Sequence, residues 1–349
     1  MNQSLVSRVT LLKDFEPVTL DESLAIQAGL MGLDPWMKFL HDYYSIPVFR
    51  LVARTGNILT GWLSLAHINH AVFGKYLATA PFGSYGGFAF SSGEARDLLL
   101  DAARKLMLDL GVDYVNVRSA PAAGVPPPGW IQHPIYATYL VDLAPDPERL
   151  MGTFSSDHRN HVRKSLKKGL VVKFGHLDLA DDVYEVIARS MHELGSPYHS
   201  LKYLRSMAIA LQDAAEFAVV YFNGSAVGGG VFLLQGNVVA NLHANLLRDY
   251  RSEYAGEFLY WSAISRYGGQ GLRTFDLGRS LIGSGNEAFK MKWKPRRVPL
   301  QYWYCMSNGG PIPELNQGSP RFRLAIWAWK HLPTAAVRAL GPGLIRGIA

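Results

Sequence analysis

Apolar residues recur at helical spacing between Glu94 and Leu110, at Leu98, Leu99, Ala102, Leu106 and Leu110. Gly111 then stops the helix, and Val112, Tyr114, Val115 and Val117 alternate as in a strand. The same order returns from Gly256 to Ser280: a helix marked by Phe258, Leu259, Trp261 and Ile264, a glycine stop at Gly268 to Gly271, a strand, and again a closing Arg-Ser. A predicted hairpin precedes each copy. Gly56-Asn57 separates two apolar runs in the first half, and Asn223-Gly224 and Gly236-Asn237 separate three in the second. Each half therefore reads strand, turn, strand, helix, glycine stop, strand, with an offset of about 160 residues. The expectation is an α/β (α+β) chain of two tandem units.

Proline-rich breaks at "GVPPPGW" (124–130) and "DLAPDPERL" (142–150) separate the halves. They predict a first domain over 1–145, a second over 146–308, and a tail over 309–349. The stretch "DPERLMGTFSSDHRNHVRKSLKKG" reads as a basic helix closing at Gly169, with Arg159, Arg163 and Lys167 on one face. The tail carries Trp327, Trp329, Leu332 and Leu340 with Arg338 and Arg346, and no acid from Leu324 onward. Two readings fit it: an amphipathic segment at a membrane surface, or a segment docked on the protein's own core.

Composition narrows the class. Hydrophobic content of 48% with 18% charged residues is that of a folded chain. A formal net charge of +7 suits anionic partners. The single cysteine, Cys305, excludes internal disulfides and all-cysteine metal sites. No stretch reaches the roughly 18 uncharged apolar residues of a membrane span, and the N-terminus lacks a secretory apolar core. The expected location is cytoplasmic, peripheral at the inner face of the membrane through the tail, with the protein a monomer.

Several familiar motifs fail. Gly278 to Gly283 has P-loop glycine spacing, but Ser284 and Gly285 follow where lysine and a hydroxyl residue are needed. Gly-x-Ser-x-Gly and His-Glu-x-x-His are absent. The pairs His67/His70 and His158/His161 lack a third ligand pattern, so no metal is expected. What remains is basic. Arg159 and Arg163 are candidate phosphate-binding residues, since arginine grips phosphate in bidentate fashion. A strand entered at Phe289 would send Lys290, Lys292 and Lys294 to one side and Phe289, Met291 and Trp293 to the other. The loop "APFGSYGGF" offers Tyr85, and Tyr250 and Tyr254 follow the third strand of the second half.

The order "TYLVDL…DPERLMGTFSSDHRNHVRKSLKKG" and "FDLGRSLIGSGNEAFKMKW…PLQYWY" resembles the Fem-type branch of the GNAT acyltransferase superfamily. More narrowly, it is similar to the FemAB-related proteins of exopolysaccharide and exosortase systems, over nearly the whole chain. The resemblance implies two GNAT-like domains in tandem, each a mixed central sheet flanked by helices. It implies transfer of an acyl or aminoacyl group, from acyl-CoA or aminoacyl-tRNA, to an amine or hydroxyl of a polysaccharide or cell-envelope precursor. The family's Phe-Lys pair falls at Phe289 and Lys290. Leu281 stands where that branch has lysine after Gly-Arg-Ser, and Lys294 where it has glycine after tryptophan, which bears on the acceptor.

Aminolysis of an ester or thioester builds negative charge on the carbonyl oxygen, and losing a donor there costs roughly 10²–10³-fold in rate. Lys290 is the candidate donor, or the grip on an adjacent phosphate. Arg279 would orient an anionic group, with Ser280, Tyr85, Tyr254, His243, Lys292 and Trp293 as candidate substrate contacts. Asp276, Glu287 and His243 are the candidate proton acceptors. The competing class is a non-catalytic double-GNAT scaffold of polysaccharide machinery at the membrane surface.

Overall fold

A computed structural model of the chain describes residues 7–12, 15–120, 124–313 and 323–348. In chain order the first elements are β1 (Ser7–Leu12), α1 (Glu22–Ala28), α2 (Asp34–Tyr44), β2 (Val48–Thr55), β3 (Ile58–His70), β4 (Gly74–Ala78), β5 (Phe88–Phe90), α3 (Gly93–Leu110), β6 (Tyr114–Ser119) and β7 (Ile131–Gln132). There follow β8 (Tyr136–Asp142), α4 (Pro147–Thr153), α5 (Ser156–Ser165), β9 (Val171–Gly175), α6 (Ala180–Leu194), α7 (Leu201–Leu211), β10 (Ala215–Phe222), β11 (Ser225–Gln235) and β12 (Val238–Leu246). The last are α8 (Ala255–Gly269), β13 (Thr274–Asp276), β14 (Ser280–Leu281), α9 (Gly285–Met291), β15 (Arg296–Pro299), β16 (Gln301–Met306), α10 (Arg323–His331) and α11 (Thr334–Ile345). The three hairpins form where Gly-Asn and Asn-Gly predict them, and both helix–glycine–strand copies are present as α3–β6 and α8–β13.

The chain divides into two units. The first holds a sheet ordered β1-β2-β3-β4-β6-β16-β7, with β5 on β3, and only β4 and β6 run parallel in it. Its core joins Leu63, Leu65, Phe88, Val115 and Trp303 to the inner stripe of α3, Leu99, Leu100 and Met107. The second holds a sheet ordered β14-β8-β13-β12-β11-β10-β9, with β15 on β8 and a parallel pair β12–β13. Its core is built around α8, of which eleven of fifteen residues are buried. A helix apolar on nearly every side belongs inside a layer.

The two sheets match strand for strand. In each, an antiparallel strand flanks the parallel pair: β16 pairs with β6 in the first sheet, and β8 pairs with β13 in the second. Each unit thus takes that strand from the other half of the chain. The expected divisions at 145 and 308 therefore give way to a first unit of residues up to Tyr136 plus Val298–Pro313 and the end from Arg346. The second unit is Ala137–Arg297 together with the tail up to Ile345. Local pattern does not encode which sheet a strand joins.

Two further expectations are corrected, and of the two readings of the tail the docked one is seen. Phe289 to Trp293 is not a strand; α9 covers Gly285–Met291, capped by Ser284 Oγ, which accepts from Glu287 N. Ser284-x-x-Glu287 is a helix-start signature. Lys290 is consequently buried while Lys292 and Lys294 are exposed, so the three lysines share no face. The basic stretch forms two helices, and the second ends at Ser165, before Gly169. The tail docks: Trp329 and Val337 are buried, His192 Nε2 lies 3.1 Å from Trp329 O, and Arg338 pairs with Glu185 on α6.

Candidate functional site

The candidate residues meet where the second sheet opens. β12 pairs with β13 over three residues only, Val238–Ala240 against Thr274–Asp276, although β12 continues to Leu246 along β11. From Asn241 onward its other edge is not paired to β13. Asp276 ends β13 and is held by its loop: its Oδ1 accepts from Gly278 N at 2.8 Å and from Thr138 Oγ1. Gly278 has φ +77°, and a Cβ there would lie 2.8 Å from Asn241 O, so only glycine fits.

Lys290 reaches under this loop from α9. Its Nζ donates to Gly278 O at 2.8 Å and Arg279 O at 2.9 Å, and stands 5.6 Å from the Tyr139 ring centre. Only 5% of the residue is exposed. Burial pushes the ammonium down to about 8; Asp276 opposes this and Arg279 adds to it. Two of its N–H groups thus brace the Gly278–Arg279 turn. Glu287 likewise accepts from Gly283 N and from Tyr139 OH at 2.7 Å and pairs with Arg297 at 3.0 Å. The Gly283 and Tyr139 bonds hold its carboxyl below the usual range.

Two groups absent from the sequence reading belong here. Asn241, buried on β12, donates from Nδ2 to Tyr260 OH at 3.0 Å, and its Oδ1 has no partner among the described residues. Tyr260 comes from α8 and packs on Phe289 at 5.4 Å. A lone asparagine in a strand carries no sequence signal. Ser280, on β14, is buried with its Oγ unpartnered among the described residues. Phe289 is half-buried, and a Cβ on Gly256 would lie 3.6 Å from its ring. Tyr254 begins α8 in the left-handed region at φ 55°, with no side-chain cap on the helix, and its ring lies 4.8 Å from that of His161.

Other candidates stand elsewhere. Trp293 is fully buried among Phe154, His158 and Tyr260, a core position without access to a substrate. Lys292 is exposed beside the Phe289 ring. Arg159 turns back to donate to Phe154 O, whereas Arg163 is exposed. Lys168 pairs with Glu253, an acid distant in sequence. His243 faces Tyr198 and His199 rather than the 276–281 loop. Tyr85 is half-buried in the first unit, between β4 and β5. Among the described residues no three His, Cys, Asp or Glu side chains are grouped to hold a metal, and no helix is long and apolar enough to cross a membrane.

Residues 156–291 match the acetyltransferase (GNAT) domain family. No curated protein matches the chain. Among solved structures, FemX is similar at 13% identity and a TM-score of 0.61, covering 86% of this chain and 95% of that one. A conserved protein of unknown function from Bacteroides thetaiotaomicron is similar at 10% identity and a TM-score of 0.54, covering 78% of this chain and 90% of that one. At such identities the likeness speaks for fold alone. By fold, the chain is a tandem of two GNAT-like units, and the acetyltransferase match lies in the second.

Proposed function

We propose that this protein transfers an acyl or aminoacyl group from an activated donor, acyl-CoA or aminoacyl-tRNA, to an amine or hydroxyl of a polysaccharide or cell-envelope precursor. The observation that carries this reading is the parting of β12 from β13 at Asn241, beside the start of α8. An unpaired strand edge accepts an extended, amide-bearing chain by main-chain hydrogen bonds, and the pantetheine arm of coenzyme A is such a chain. The uncapped N–H groups of a helix start favour phosphate. The buried Asn241 Oδ1 is an acceptor available to a ligand N–H. Arg279, Ser280, Phe289 and Lys290 border the opening and are assigned to the reacting end.

The tail supports contact with an anionic membrane surface. Opposite the docked Trp329, α10 exposes Leu324 (76%) and Trp327 (60%), and residues 315–349 include no acid.

Calorimetric titration with acetyl-CoA and with charged tRNA, at low and high salt, tests the donor. tRNA affinity should fall steeply with salt and CoA affinity less so. Binding of neither donor would refute a transferase and favour the scaffold.

A further inference from the structure

We propose that the second unit carries an accessory site for one neutral sugar ring of a glycan, in the cleft between α6 and α11. The site goes beyond the transferase reading and does not depend on it. A cavity of about 290 Å³ lies there, at the small end of the roughly 300–1,000 Å³ range of ligand pockets. Its floor is aromatic and buried. Tyr184 of α6 and Tyr198 of the segment before α7 are 7% and 5% exposed, with ring centres 6.5 Å apart and planes inclined by 31°. His199 closes the floor, stacked on Tyr203 at 3.8 Å, and burial holds its imidazole well below 6.5 and so uncharged. The rim is charged and partly exposed. Glu185, Arg189 and Glu193 follow one another at i, i+4 spacing on α6, and Arg338 faces them from α11. Arg338 pairs with Glu185 between the two helices, and Arg189 pairs with Glu193 at 3.3 Å and Asp249 at 3.0 Å.

That rim selects the ligand class. Its two acids and two arginines cancel, so an anion or a cation would have to break an ion pair to be matched. A neutral polyol needs no such exchange. A carboxylate has about four lone-pair sites and a guanidinium five N–H groups, so each paired group can still bond a hydroxyl. A pyranose ring also has an apolar C–H face, which the Tyr184–Tyr198 floor fits while the hydroxyl edge meets the rim. The cavity lies away from the fork. His199 stands 6.2 Å from His243, which faces the side of the second sheet opposite Asn241. The site therefore holds a glycan and does no chemistry on it. Because α11 supplies one wall, an occupied site also ties the tail to α6.

Saturation-transfer NMR on the full chain tests this and requires no acyl donor. Glucose, galactose, mannose and N-acetylglucosamine are each added at about 10 mM, enough to fill a site with a Kd of about 1 mM. At least one should receive magnetisation from the protein, and in protein carrying ¹³C-labelled tyrosine its addition should shift the rings of Tyr184 and Tyr198. Ala188→Phe, which fills the cavity from α6, should weaken binding at least about tenfold. Where that variant does not fold, Glu193→Ala, which removes a charged partner from the rim, should also weaken it about tenfold. Acetate, tetramethylammonium and glycine serve as anionic, cationic and zwitterionic probes. Binding of none of the four sugars, binding unchanged in the folded variants, or tighter binding of any charged probe than of every sugar overturns the proposal.

Discussion

Asn241 and His243, two residues apart on one strand, face opposite sides of the second sheet. Val231 opposes His243 and Phe232 opposes Asn241, so Leu242 is an extra residue, a β-bulge. Asn241 meets Tyr260 of α8 on one side, and His243 meets Tyr198 and His199 on the other. The bulge lies where β13 stops following β12, and it aims a polar acceptor, not a histidine, at the candidate site.

Acid should unfold this protein through its buried histidines. Burial lowers His158 and His243 from 6.5 to about 4, and lowers His199 well below 6.5. The unfolded chain takes these protons below pH 6.5, whereas the folded chain takes those of His158 and His243 only near 4 and resists protonating His199, so stability is lost as pH falls below 6.5. His158 and His243 should each remove about 1–2 kcal/mol between pH 6.5 and 5. Urea midpoints across this range measure it, and His243→Gln should flatten the slope by about 1.4 kcal/mol per pH unit. A midpoint indifferent to pH would refute the burial argument.

Gly278→Ala should destabilise by about 1–3 kcal/mol, because a positive φ is combined with a backbone oxygen 2.8 Å from the new methyl. Gly283→Ala shares the positive φ, at +82°, but meets open space and should cost only about 1 kcal/mol. Thermal melts of the two variants give the difference. Equal losses would mean that the Gly278–Asn241 approach relaxes at no cost.

A fragment of residues 146–308 should not fold. It lacks β8, which pairs β13, and carries β16, whose partners are β6 and β7. Losing β8 removes Tyr139 and Val141 from the core and leaves the β13 edge open. Extending the fragment back to residue 134 should restore resistance to proteolysis. A stable 146–308 fragment would contradict the exchange of strands between the halves.

Leu324→Asp with Trp327→Asp should abolish co-sedimentation with phosphatidylglycerol vesicles and leave the melting temperature within a few degrees, since both side chains are exposed. Phosphatidylcholine vesicles should bind weakly in both cases. Retained binding by the double variant would place the membrane contact elsewhere.

The sequence by itself determined what depends on neighbours a few residues away. Gly56-Asn57, Asn223-Gly224 and Gly236-Asn237 set the hairpins, and Gly111 ends α3 in the left-handed conformation. From these the duplicated order of elements is readable. Only the tertiary structure decided which sheet β8 and β16 join, that α9 is a helix burying Lys290, and that the bulge at Leu242 turns His243 away from Asp276. Strand pairing, burial and bulges are settled by contacts between residues far apart in the chain, and a side chain's proton affinity follows its burial. The pattern of apolar positions therefore identified a lysine worth attention at 290 but not the role its surroundings give it.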